Sequence, residues 1–99
     1  MLKLYLYPVV IIEDNFEEDS FVAMIPDLGI STDGQNIEEA YLYAKDYLRV
    51  FIENAIINDI DFNLPSNINL VMDKYKNCNV MLLDTVIDTN RIKSKNWNT

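Results

Sequence analysis

Residues 21–40 read FVAMIPDLGISTDGQNIEEA. A short apolar run, Phe21 to Ile25, is rich in residues that favour an extended chain. It stops at Pro26-Asp27-Leu28-Gly29. Proline presets φ, aspartate can bond its own backbone, and glycine tolerates positive φ, so these four residues specify a turn. Ile30 to Thr32 resumes as a third short strand, and Asp33-Gly34 ends it. Asn36 is a good helix N-cap, and Glu39 stands three residues on, at the spacing of a capping box. Ile37, Ala40, Tyr41, Ala44, Tyr47, Leu48, Phe51, Ile52, Ala55 and Ile56 then recur at three- and four-residue intervals. That period predicts a helix from about Ile37 to about Asn58, with these residues facing a core.

Outward from this stretch, Leu4 to Ile12 reads as a first strand, apolar on both faces and therefore central and covered on both sides. Pro8 lacks an N–H and belongs at an edge or bulge. Glu13 to Asp19 is a polar turn. After the helix, Leu64-Pro65-Ser66 is a stop signal, and Ser66 is placed to cap a short helical turn through Val71 or Met72. Val80 to Ile87 is a last strand. The order β-β-β-α-β predicts an α+β domain: a three-stranded antiparallel meander, a fourth strand, and one long helix on the sheet. The crossover through the helix is long enough for a parallel pairing of the last strand.

Ninety-nine residues make one domain, and a chain this short gains from self-association, so a dimer is expected. There is no histidine, which removes Cys/His zinc sites and histidine-dependent nucleophiles. One cysteine, Cys78, allows no internal disulfide and suits a reducing cytoplasm. No run reaches the about 18 apolar residues of a membrane span. The start, Met1-Leu2-Lys3 and an apolar run, has a single base, no small-residue cleavage site and acids directly after it, so it reads as strand and not leader.

The net charge of −8 is confined to residues 1–40, which hold nine acids against Lys3. The acids are Glu13, Asp14, Glu17, Glu18, Asp19, Asp27, Asp33, Glu38 and Glu39; the remaining residues balance. Such a surface repels nucleic acid and attracts basic partners. For Glu38 and Glu39, a place in the first turn of a helix is reason enough for a negative charge.

Tyr7-Pro8, the acidic turn, Phe21 to Leu28 with its Pro26-Asp27-Leu28, Thr32-Asp33-Gly34, Glu38-Glu39-Ala40 and Leu64-Pro65-Ser66 follow in an order and spacing that resembles the HicB antitoxin family. The resemblance covers roughly residues 5 to 88. Ser20 stands where the family usually has glycine, and the family's Pro-Gly-Cys after Pro-Asp-Leu is contracted to Gly29-Ile30. The resemblance implies a partial ribonuclease-H-like domain over 1–88, without that fold's catalytic carboxylates and without a cofactor. It also implies a cytoplasmic partner, a small basic mRNA-cleaving toxin of the HicA type whose active site is masked on binding. Glu13, Asp14, Glu17, Glu18, Asp19, Asp27 and Asp33 are the candidate toxin contacts.

Many members continue into a DNA-binding segment. Here 89–99, with Arg91, Lys93 and Lys95, reads as a basic polar tail expected to be flexible, so DNA binding is not supported. Two other functions are compatible with the residues. One is an orphan module that binds another protein, or a small ligand near Tyr41, Tyr43, Tyr47 and Phe51. The other is a metal-dependent nuclease using Glu13 or Asp14, Glu39, and Asp84 or Asp88.

Overall fold

The computed structural model describes residues 1–96. The chain forms β1 (Leu2–Glu13), β2 (Phe21–Ile25), β3 (Ile30–Gly34), α1 (Ile37–Ile57), α2 (Ile68–Lys74), β4 (Asn79–Asp88) and α3 (Thr89–Asn96). The four strands form one antiparallel sheet in the order β3-β2-β1-β4. The turn between β2 and β3 closes as its composition requires. The N–H groups of Leu28 and Gly29 both donate to the Ile25 carbonyl, and Gly29 sits at φ 65°. At the head of α1 the Asn36 side chain accepts the Glu39 N–H at 2.7 Å, while the Glu39 carboxylate reaches one residue further back, to the N–H of Gln35.

One face of the sheet and one face of α1 make the core. Tyr5, Tyr7, Val9, Ile11, Ala23, Ile25, Leu83 and Ile87 meet Ala40, Ala44, Leu48 and Ile52. The two alanines let the helix approach the sheet closely, and Leu48 and Ile52 fill the space where it is wider. The aromatic residues of α1 divide. Phe51 and Tyr41 pack against the core, and Tyr41 Oη donates to the Leu82 carbonyl at 3.3 Å. Tyr47, read as inward-facing, lies exposed beside Tyr43, because the sheet is too narrow to cover the whole apolar stripe of the helix.

β4 does not run parallel to its neighbour. It starts opposite Ile11 and ends opposite Leu2, antiparallel to β1. The cause is the connection after α1. The Tyr7 phenol donates to the Asn63 carbonyl at 2.6 Å, Asn63 Nδ2 donates to the Asp27 carbonyl, and the Ser66 N–H donates to the Asp27 carboxylate. These bonds draw residues 58–67 past the Pro26–Gly29 turn and bring α2 onto the other face of the sheet. There Val71 of α2 is buried, together with Pro8 and Val10 of β1. The chain has by then returned to the end of the sheet where β1 finishes, so β4 must run back the other way. Ser66 is therefore a partner of Asp27, and it is Asn67 whose side chain caps α2.

Pro8 resolves the tension in the first strand. β1 is central in the sheet, but β2 pairs with it only from Val10 onward, so at Pro8 one side of β1 has no strand neighbour. A residue without an N–H costs no ladder bond on that side. Coverage on both faces, however, holds only at Pro8 and Val10. Leu4, Leu6 and Ile12 are open. The segment read as a flexible tail begins as helix α3. The Asp88 carboxylate accepts the N–H groups of Asn90 and Arg91, and Ile92 is buried in the core cluster. Trp97 lies outside the described residues.

Tyr7 gives the fold a pH signature. Burial holds its phenol neutral and pushes its pKa up to about 12, with Tyr5 and Asp27 adding in the same direction. Unfolding frees the phenol to ionise at its ordinary value of 10.0. The stability it holds is complete below that value and is lost as the pH rises toward about 12. Urea titrations across this window are expected to show a loss on the order of 1–3 kcal/mol. Tyr7→Phe should start about 1 kcal/mol less stable, because the Asn63 carbonyl loses its donor, and should fall less over the same window.

Candidate functional site

The loop between β1 and β2, residues 14–20, leaves the sheet where α1 begins. Its conformation is fixed locally. The Asp14 N–H donates to the Ser20 carbonyl at 2.8 Å, the Asp14 carboxylate accepts the Phe16 N–H at 2.9 Å, and Asp19 takes a left-handed φ of 53°. Aspartate is among the few residues that accept this conformation at modest cost. Glu17 and Glu18, which directly precede Asp19, are exposed.

Together with Asp33 from β3 and Glu39 from α1, these acids line one cleft of about 440 Å³. Ser20, Gly34, Gln35 and Tyr43 complete its lining. Of the acids singled out in the sequence, Glu17, Glu18, Asp19 and Asp33 thus converge. Glu13 and Asp14 stand at the root of the same loop, outside the cleft lining. Asp27 lies apart, on a second cleft of about 450 Å³, with its carboxylate engaged by Ser66.

One residue of this loop was missed in the sequence. Phe16 is 98% exposed at its tip, held out by the Asx turn at Asp14. A large aromatic fully in water, ringed by like charges, contributes nothing to the core. The available signal was its isolation: Phe16 is the single apolar residue between Ile12 and Phe21.

The carboxylates that a nuclease would need do not meet. Glu13 and Asp88 sit at opposite ends of the β1–β4 ladder, about 36 Å apart at strand rise. Asp84 lies opposite Leu6, roughly 23 Å from Glu13, and its carboxylate is paired with Lys45 at 3.4 Å. Two-metal catalysis requires ligands around ions about 4 Å apart. Among the described residues, no three His, Cys, Asp or Glu side chains are grouped to hold a metal ion. No helix among them is long and apolar enough to cross a membrane.

Residues 7–98 match the family model for the HicB-like antitoxin of bacterial toxin–antitoxin systems. The chain belongs to the HicB-like antitoxin family. No curated protein matches it. Among solved structures, this HicB-like fold is similar to the antitoxin HicB of Burkholderia pseudomallei, with a TM-score of 0.69 and 17% identity over 80% of this chain. The chain spans 60% of the length of that antitoxin. It is also similar to a chain of a toxin–antitoxin complex from Streptococcus pneumoniae, with a TM-score of 0.64 and 19% identity over 90% of this chain and 72% of that one. At these identities the two structures speak for the fold. The acidic loop and its cleft are features of this chain's own residues.

Proposed function

We propose that this HicB-like chain is a non-enzymatic antitoxin that neutralises a small basic mRNA-cleaving toxin of the HicA type by covering its RNA-binding active site. The observation that carries the proposal is the 14–20 loop. It presents an exposed aromatic, Phe16, among Glu17, Glu18 and Asp19, beside a cleft that adds Asp33 and Glu39. Aromatic side chains are enriched at the centre of protein interfaces, and polar or charged residues form the rim around them. The sign of the charge selects a partner that otherwise binds phosphate, and it steers that partner electrostatically. Glu13 and Asp14 extend the same field. Asp27 contributes to the partner's site only indirectly, by holding residues 58–67 in place. A toxin that cleaves mRNA puts the encounter in the cytoplasm.

The test is affinity capture of the tagged chain from its native cells, with intact-mass analysis of what is recovered. The expected result is a small basic protein in stoichiometric amount. It should arrest growth and cleave RNA when expressed alone, and be silenced by this chain. Recovery of no such protein, together with a neighbouring reading frame that encodes none, would overturn the proposal.

A further inference from the structure

The sheet has two outer edges, and α1 meets them differently. At the β4 edge the helix reaches across. Tyr41 Oη donates to the Leu82 carbonyl, and Lys45 Nζ lies 3.4 Å from the Asp84 carboxylate. Bulk and charge placed along an edge discourage a further strand from adding to it. At the opposite edge β3 pairs with β2 alone. Among the described residues, no loop backbone bonds to the stretch from Ser31 to Gly34.

The helix overhangs this open edge. Tyr43, Tyr47 and Val50 recur at four- and three-residue spacing and so form one row on α1. Each is between 43% and 50% exposed. Tyr43 shares a cleft with Asp33 and Gly34, which sets the row on the β3 side of the helix. Tyr47 and Val50 carry it on into a hollow of about 300 Å³ that Phe51, Ala55 and Ile60 also line. A fifth strand beside β3, about 4.8 Å further out, would lie beneath this row.

We infer that the open edge of β3 receives a strand of the toxin, hydrogen-bonded main chain to main chain under the α1 overhang. The inference rests on the toxin reading for the identity of the occupant, and charge supports that choice. Asp33 is exposed within β3, and Glu17, Glu18, Asp19 and Glu39 line the cleft that it shares. Among the described residues, none of these five acids is in an ion pair, whereas Asp84 on the guarded edge is. An added strand alternates its side chains between the two faces of the sheet. One set would meet Tyr47 and Val50 and should be apolar. The other would lie beside Ser31 and Asp33 and should be basic. In strand addition the main-chain bonds supply affinity and the alternate side chains supply specificity.

Amide hydrogen exchange on the full chain tests the inference with two probes. The first is the toxin recovered by affinity capture. On binding it, the outward-facing amides between Ile30 and Gly34 should exchange at least ~10-fold more slowly. The second is a short synthetic peptide of alternating valine and lysine, which should protect the same amides at concentrations up to about 1 mM. A peptide alternating valine and glutamate should not. Two further peptides carry N-methyl groups on alternate residues, one on each set. Only the one methylated on the edge facing β3 should lose binding, because only that set donates to the strand. On the protein side, Tyr47→Ala with Val50→Ala, at exposed helical positions, should weaken both probes at least ~10-fold. Leu70→Ala, on the exposed side of α2, should leave both unchanged.

A toxin that binds while the β3 amides exchange as in the free chain would overturn the inference and leave the toxin reading standing. If capture yields no toxin, that reading falls and the peptides decide the edge alone. No protection by the valine–lysine peptide, or equal binding of the two methylated peptides, would then overturn it. Protection of β3 that rises with the concentration of the chain alone would assign the edge to a second copy, and would also overturn it.

Discussion

Gly34→Ala is expected to be the most damaging single-methyl change in the protein, lowering stability by about 3 kcal/mol or more. The reason is space, not φ. Gly34 ends β3 where the first turn of α1 crosses it, and a Cβ there would lie 2.5 Å from the Ala40 nitrogen and 2.9 Å from its Cα. Both are backbone atoms of a capped helix, so no side chain can swing aside. Either α1 lifts off the sheet or β3 withdraws, and both open the contact that Ala40 makes with the core. For a domain of this size the midpoint of thermal unfolding should fall by roughly 15 °C. Gly29→Ala makes a useful contrast. Its Cβ would meet nothing within 4 Å, but its φ of 65° is strained for alanine, so a cost of only about 1–2 kcal/mol is expected. A Gly34→Ala protein melting within a few degrees of the parent, or above Gly29→Ala, would refute this account of the β3–α1 junction.

The second large effect is on partner binding. Phe16→Ala should weaken toxin affinity by about 2 kcal/mol, some 30-fold, chiefly through faster dissociation. It should leave the melting temperature unchanged, because a side chain 98% exposed has nothing to lose on unfolding. Glu13→Lys, Glu17→Lys and Glu18→Lys together should act on the other rate. Association should slow by ~10–100-fold at low salt, and added salt should then speed it instead of slowing it. Asp19 is left out of that set because its φ of 53° suits aspartate better than lysine. Titration of the recovered toxin against these variants, with association measured at two ionic strengths, checks both. Unchanged affinity for Phe16→Ala, or an unchanged salt dependence for the triple variant, would move the contact surface elsewhere on the molecule.

The β2 boundaries and the start of α1 were legible in the sequence because their signals are local. Pro26-Asp27 stops a strand wherever it occurs, and Asn36 with Glu39 starts a helix. The clustering of Glu17, Glu18 and Asp19 was legible for the same reason. What joins Asp33 and Glu39 to them is the packing of α1 on β3, which no short window contains. The direction of β4 depended on where residues 58–67 travel. That path is set by Asp27 gripping Ser66 across 39 positions of chain. Ser66 looked like a helix cap because, within its own neighbourhood, it is a good one. Ile92 looked incidental in a polar segment and became a core residue only once α3 met α1. The partly open back of β1 followed from the same cause: an apolar pattern records that a strand could be covered, and not what is present to cover it.

The β1–β4 ladder has a consequence for how the molecule is made. Of the four strands of this sheet, the first to be synthesised takes its longest partner from the last, since Leu2 waits for Asp88 and the Met1 carbonyl for Thr89. The hairpin of β2 and β3 and the helix behind it can assemble while synthesis continues, but the leading segment cannot be completed until its final neighbour emerges. Closing so long a loop is slow, and through that interval the nascent chain carries an unpaired, aliphatic edge. Holdase chaperones and proteases therefore have their best access to this sheet before β4 emerges, and the supply of folded protein should respond to translation speed more sharply than the stability of the folded sheet would suggest.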